Sequence, residues 1–179
     1  MLEPATEADH AAIVALVNQA YRGLGAQAQG WNLETGVIEG ERTTLALLRE
    51  DLAAKPHARL MLHKNAQTLL ASVWLEPMGD GDWYLGLLAI RPDLQAQGLG
   101  RRMLDASEAH VAANGGTRVV ISVLNVREAL IGWYERRGYV RTGAVAPYPY
   151  GDDRFGRPLR EDLAFVILGK PLRLSAAAS

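Results

Sequence analysis

The stretch from Trp83 to Arg102 constrains this chain more than any other. Trp83 to Ile90 is rich enough in apolar residues to be a central strand of a sheet, and Pro92 ends it because proline cannot donate to a ladder. A loop over residues 91–100 then runs into a helix at about 99–113, which Gly115-Gly116 stops. Gly98 and Gly100 therefore sit where a buried strand hands the chain to a helix. The first N–H groups of a helix have no internal partner, and the helix dipole makes that end positive. Glycines there let an anion approach the backbone without a side chain in the way. The turn reads as a cradle for a phosphate or pyrophosphate, with Arg101 or Arg102 adding a charge-assisted contact. A strand–helix turn that uses glycine only for its geometry fits the same residues. A dinucleotide fingerprint does not, since Met103 stands where a third glycine would fall. A P-loop fails too, for want of Gly-Lys-Ser/Thr.

The pattern on either side supplies partners for that strand. Leu2 to Ala5 is a short first strand, and Thr6 caps a helix in which Ile13, Leu16, Val17 and Ala20 recur at helical spacing up to Tyr21. Residues 22–42, with five glycines, read as a long loop. Thr43 or Thr44 starts a second helix with Leu45, Leu48 and Leu52 on one face, ended by Lys55-Pro56. Arg59 to His63 and Thr68 to Leu75 are strands, with a turn at 77–82 before the central strand. Thr117 to Leu124 is a further buried strand, and Arg127 to Arg137 a short helix carrying Leu130, Ile131 and Tyr134 and stopped by Gly138. Tyr139 to Val145 and Leu163 to Leu168 are the last strands, separated by a turn-rich loop at 146–161. The order β-α-α-β-β-β-α-β-α-β-β is that of an α/β protein with a mixed sheet.

Length and charge narrow the function. At 179 residues the chain suits one domain over 1–174, with a frayed Ser/Ala tail at 175–179. A chain of that size buries about 70% of its unfolded surface and needs no staple. A net charge of −1 argues against general nucleic-acid binding, which relies on phosphate neutralisation. The absence of cysteine excludes a disulfide scaffold, a thiolate nucleophile and Cys-ligated zinc. His10, His57, His63 and His110 lack a paired metal spacing, so no metal is expected. No basic residue precedes Arg22, and the stretch Ala11 to Tyr21 is too short for a bilayer, which needs about 20 apolar residues. The expectation is a soluble, cytoplasmic protein with no membrane partner.

Gln95-x-x-Gly98-x-Gly100, placed after a strand and before a helix, resembles the acyl-CoA signature of the GNAT family of N-acetyltransferases. Downstream, Trp133-Tyr134-Glu135-Arg136-Arg137-Gly138-Tyr139 is similar to that family's tyrosine-bearing helix with its aromatic exit into a strand. The resemblance covers roughly residues 2–170. It implies a GNAT-like acyl-CoA fold whose sheet splays between the strands at 83–90 and 117–124, with the pantetheine of acetyl-CoA in the gap. The pantetheine amides would pair with the backbone over Leu88, Ala89 and Ile90. The pyrophosphate would sit on the turn formed by Gln95, Ala96, Gln97, Gly98, Leu99, Gly100 and Arg101. An amine would attack the thioester directly, without an acyl-enzyme. An acyl-CoA-binding module of the same fold that does not turn over is the rival reading.

The resemblance also proposes roles. Tyr134 matches the general acid that protonates the leaving thiolate, a contribution typically worth about 10²–10⁴-fold; the alternative is a core aromatic on the inner face of its helix. Asn125 is similar to the asparagine that contacts pantetheine, but stands nine residues before Tyr134 where the family places it seven before. Arg127 occupies that nearer position, so both are candidates. A glutamate often found on the central strand is missing, which leaves Tyr84 near its place, Glu76 and Asp82 acting through water, and His63 as candidates for the general base. Loops 22–42 and 146–161 would wall the acceptor, a small-molecule or peptide amine, with Trp31, Tyr148 and Tyr150 as its apolar contacts. The acceptor, the acyl preference and the oligomeric state, a homodimer included, stay open.

Overall fold

The computed structural model describes residues 2–23, 33–66 and 68–172. Strand β1 (Glu3–Pro4) leads through a 3₁₀ turn at Glu7–Asp9 into helix α1 (His10–Arg22). The expected helix start is thus displaced by one tight turn. There the Thr6 amide and hydroxyl both donate to the Asp9 carboxylate, at 2.9 and 2.8 Å, and Lys64 pairs with it at 2.6 Å. A two-residue strand β2 (Ile38–Glu39) interrupts the expected long loop before helix α2 (Leu45–Ala54), which Thr44 caps by accepting the Leu47 N–H at 3.2 Å. Strands β3 (Arg59–Asn65), β4 (Thr68–Gly79) and β5 (Asp82–Ile90) follow as an antiparallel meander. Strand β4 runs four residues past Leu75, so the expected turn at 77–82 shrinks to Asp80 and Gly81. Pro77 is tolerated because it lies at a register shift, where a ladder donor is not required.

Helix α3 (Leu99–Ala113), strand β6 (Arg118–Leu124), helix α4 (Glu128–Glu135) and strand β7 (Val140–Pro147) come next. The chain closes with the short β8 (Arg157–Pro158) and with β9 (Ala164–Pro171). Seven strands form one mixed sheet in the order β1-β3-β4-β5-β6-β9-β7, in which only β5 and β6 are parallel. Strands β2 and β8 form a separate two-stranded ladder that ties the two long loops together. Helix α3 buries Leu99, Met103, Leu104 and Val111 on one face of the sheet, where α4 adds Ile131 and Tyr134. On the other face α1 buries Ile13, Leu16, Val17 and Ala20, and α2 buries Leu48. Each Leu, Ile, Val or Met among them contributes about 1.5–3 kcal/mol when fully buried. No described helix is long and apolar enough to cross a membrane.

The site follows from one irregularity. Leu87 adopts φ +47°, and the β4–β5 register slips between Ser72 and Trp74. This is a β-bulge, in which an extra residue kinks one strand and raises its twist. It also resets the pleat. Leu85 faces the α3 side, Leu87 and Ala89 face the α1 side, and Leu88 and Ile90 return to the α3 side. Strand β5 consequently pairs with β6 only at Asp82, Trp83 and Tyr84, while β6 stays zipped to β9 along its length. The sheet forks, as the resemblance implies.

Candidate active site

Beyond Tyr84 and Val120 the two strands share no ladder, and a cleft of about 280 Å³ opens between them. Its walls are β5 from Tyr84 to Leu88, β6 from Ile121 to Leu124, and Arg127, Leu130 and Tyr134 around α4. Arg22, Glu34, Arg42, Tyr148 and Phe155 complete it. The Tyr84 hydroxyl meets Ser122 Oγ at 3.1 Å, across the opening. Gly86 makes room for this, because a Cβ there would meet the Tyr84 ring at 2.6 Å. A second hollow of about 400 Å³ shares Arg42, Tyr84, Gly86, Leu87 and Phe155 with the first, which gives the cleft a wider approach.

Tyr134 shares the buried face of α4 with Ile131 and meets Trp133 and Tyr139 edge-on, with ring centroids 4.9 and 5.4 Å away. It is 6% exposed and lines the cleft. Burial first, then the nearby Tyr21 and Tyr84, push its phenol far above the ordinary tyrosine value, against a smaller opposing effect of Arg137 and Arg127. The group therefore keeps its proton at working pH, which is the state an acid needs.

The strand–turn–helix unit is built as the sequence predicts. A 3₁₀ turn at Pro92–Gln97 ends at Gly98, whose φ of +73° is open to glycine and costly for other residues. The first helical bond of α3 runs from the Arg102 N–H to the Gly98 carbonyl at 3.1 Å. The preceding amides of Leu99, Gly100 and Arg101 lie in the first turn, where no i−4 carbonyl serves them. The Arg101 side chain is exposed and reaches Asp105 at 3.6 Å, so what it offers the turn is its backbone. Gln95 donates to the Ile90 carbonyl at 3.1 Å, and the Tyr21 hydroxyl to the Leu88 carbonyl at 3.4 Å. Gln95 thus braces the turn from within, and Ala89 is fully buried.

The two pantetheine candidates separate. Arg127 lines the cleft, and burial lowers its pKa. The Asn125 amide is engaged elsewhere: it donates to the Asp162 carbonyl at 2.8 Å and accepts the Ala164 N–H at 3.0 Å. It fastens the entry to β9. Of the weaker candidates for a base, Glu76 accepts from Lys55 and from Trp74 Nε1, at 2.8 and 3.1 Å. Asp82 is held below the usual carboxylate range by Arg118. His63 lies at a different hollow, beside Arg91 and Arg102.

Of the acceptor candidates, Tyr148 is in the cleft, 4% exposed and stacked on Phe165. Tyr150 is outside it, 45% exposed, with its hydroxyl donating to the Arg160 carbonyl at 3.0 Å and accepting the Leu163 N–H at 2.8 Å. It braces the loop. Trp31 falls outside the described residues. Sequence reasoning missed Arg22, Glu34 and Asn18. Arg22, at the last turn of α1, forms a buried ion pair with Glu34 and donates to the Phe155 carbonyl at 2.8 Å. Burial, and secondarily the charge of Arg42, bring its pKa down to about 10, which still leaves it cationic near neutrality. Asn18 is buried, and its amide takes the Arg42 N–H at 2.6 Å and donates to the Thr43 carbonyl at 2.8 Å. The only signal for it was a polar residue inside an apolar helical stripe.

Comparison with known proteins places this geometry. Comparison with curated proteins gives no match. Among solved structures, the ribosomal-protein-S18-alanine N-acetyltransferase from Escherichia coli aligns over 100% of this chain and 97% of its own, with a TM-score of 0.65 at 15% identity. The structure of yncA from Salmonella typhimurium with its cofactor acetyl-CoA covers 100% and 97%, at TM-score 0.64 and 18% identity. A spermidine N-acetyltransferase chimera of Vibrio cholerae SpeG and hSSAT covers 96% and 95%, at 0.67 and 13%. At such identities the likeness establishes the fold. The sequence profile described as the acetyltransferase (GNAT) family matches residues 26–139, a span that takes in the forked strands, the glycine turn and the tyrosine helix. With most of its length under that profile, the chain belongs to the acetyltransferase (GNAT) family.

Proposed function

We propose that this protein transfers the acetyl group of acetyl-CoA directly to the primary amine of a small molecule or peptide. The observation that carries the reading is the fork between β5 and β6, with a proton-retaining Tyr134 in its wall. The divergent strand edge suits an extended amide-bearing arm, and the backbone N–H groups after Gly98 suit its pyrophosphate. The neutral amine attacks the thioester carbonyl, a C–N bond forms, and the C–S bond breaks. The ammonium proton leaves to solvent, and Tyr134 gives its proton to the departing thiolate and regains one from water. The products are the N-acetyl amide and free CoA thiol.

Glu34 is the one carboxylate among the described cleft-lining residues, and it is held by Arg22. Deprotonation of the amine accordingly runs through water. That same feature favours the second reading, a module that binds acyl-CoA without turnover. A screen of amines with acetyl-CoA, following free thiol, separates the two: the transferase releases thiol in an amine-dependent way. Thermal stabilisation by acetyl-CoA without any thiol release would leave the binding module.

A further inference from the structure

The charge in the cleft is lopsided. Among the described residues at its acceptor end, two guanidinium groups, of Arg22 and Arg42, face one carboxylate, Glu34. Glu34 is committed to Arg22 in a buried pair. Arg42 has no carboxylate partner among the described residues. Its guanidinium is held instead by two aromatic rings, 5.7 Å from the Tyr21 centroid and 5.5 Å from that of Phe155. Asn18 fixes its backbone amide, so the cation is placed rather than loosely solvated. It also borders both hollows, at the approach to the cleft. A second observation is independent of charge. Arg22 Nε and the Tyr148 hydroxyl are buried and have no hydrogen-bond partner among the described residues. Both residues are more than nine-tenths buried and both line the cleft. An N–H and an O–H that lack acceptors, beside an unneutralised guanidinium, call for a ligand that brings oxygen lone pairs and negative charge.

Resting on the acetyltransferase reading above, we propose that the acceptor is a small amino acid: an amine that also bears a carboxylate, with the carboxylate held by Arg42 and by the donors of Arg22 and Tyr148. The carboxylate neutralises the surplus cation and supplies the missing acceptors, while the amine is left toward the thioester and Tyr134. A polyamine fits badly, because its further ammonium groups would enter a cleft whose one carboxylate among the described residues is already paired.

The test pairs each amino acid with its decarboxylated amine, alanine with ethylamine and serine with ethanolamine, and adds spermidine. Free thiol from acetyl-CoA is followed for each, and binding of each to the acetyl-CoA-saturated protein is measured by calorimetry. The expected result is a kcat/KM at least about tenfold higher for the amino acid than for its amine. Arg42→Gln should erase that preference with the acetyl-CoA KM unchanged, and Arg42→Lys should restore part of it. Equal or faster turnover of the amines or of spermidine overturns the inference and leaves the N-acetyltransferase reading standing. Stabilisation by acetyl-CoA with no thiol release from any compound and no binding of any amino acid overturns the inference and leaves the binding module. No stabilisation by acetyl-CoA and no thiol release overturns both.

Discussion

The two ends of the cleft are made in different ways. The end proposed for acetyl-CoA comes from one uninterrupted piece of chain, β5, the glycine turn and the start of α3, and it offers mostly backbone. The end proposed for the acceptor is gathered from α1, the segments around Glu34 and Arg42, and the loop carrying Tyr148 and Phe155, and it offers side chains. A backbone site tolerates exchange of its side chains but not of its conformation. A side-chain site is re-specified by single substitutions, provided the buried pair that supports it survives. Within one fold this lets the donor stay fixed while the acceptor varies.

The largest effect should come from breaking the support of the acceptor end. Glu34→Ala leaves the Arg22 guanidinium, 3% exposed in its side chain, without its counter-charge. Removing one partner of a buried pair costs about 3–5 kcal/mol. Urea unfolding should show a loss of that order, and Glu34→Gln, which keeps a hydrogen-bond acceptor, a smaller one. A change under about 1 kcal/mol would place the pair on the surface and dissolve the contrast between the two ends.

The donor end should fail differently. Gly98→Glu sets a carboxylate beside the proposed pyrophosphate and forces a side chain into φ +73°. The affinity for acetyl-CoA should fall by about 100-fold, or about 2.7 kcal/mol, as read by calorimetry. Gly98→Ala is the control for backbone strain, about 1–2 kcal/mol of stability. If both variants lose the same affinity, strain rather than the anion is the cause. Acetyl-CoA affinity unchanged in Gly98→Glu would move the donor site away from the turn.

Between the two ends stands Tyr134. Tyr134→Phe should lower kcat by about tenfold or more, with both KM values little changed, as expected for a lost proton donor. Since its phenol titrates far above the ordinary value, it is protonated throughout the working range. The rate should rise with pH as the acceptor amine loses its proton and show no decline from Tyr134 up to about pH 10. A basic limb in the wild type that disappears in Tyr134→Phe would mean that the phenol is closer to solvent than its burial indicates.

This contrast also decided what could be read in the sequence. The donor end is contiguous, so strand, Pro92, glycines and helix could be recognised in order, and Tyr134 followed from the resemblance of its helix, ended at Gly138, to that of the family. The acceptor end is a tertiary product. Arg22 reads as an ordinary basic residue in the last turn of a helix, and nothing local ties it to Glu34 or Phe155. The β2–β8 ladder, two residues on each strand, is too short for an alternating pattern to show. The bulge at Leu87 was hidden because a leucine at positive φ contradicts local propensity, and only the fork explains it. Tyr150 was grouped with Tyr148 because they flank one proline, yet the chain turns between them and only Tyr148 faces the cleft.

The smallest effect sharpens the boundary of the donor end. Asn125 stands next to the cleft in sequence, but its amide spans the Asp162 carbonyl and the Ala164 N–H. Each such bond contributes about 0.5–1.5 kcal/mol net, so Asn125→Ala should cost about 1–2 kcal/mol of stability. The acetyl-CoA KM should stay unchanged, because the side chain that reaches the cleft is that of Arg127. Arg127→Ala should show the opposite split, a raised acetyl-CoA KM. Steady-state kinetics alongside urea melts resolve the two quantities in each variant. A raised acetyl-CoA KM in Asn125→Ala at full stability would return the pantetheine contact to Asn125, and the donor end would then take in the residue that follows β6.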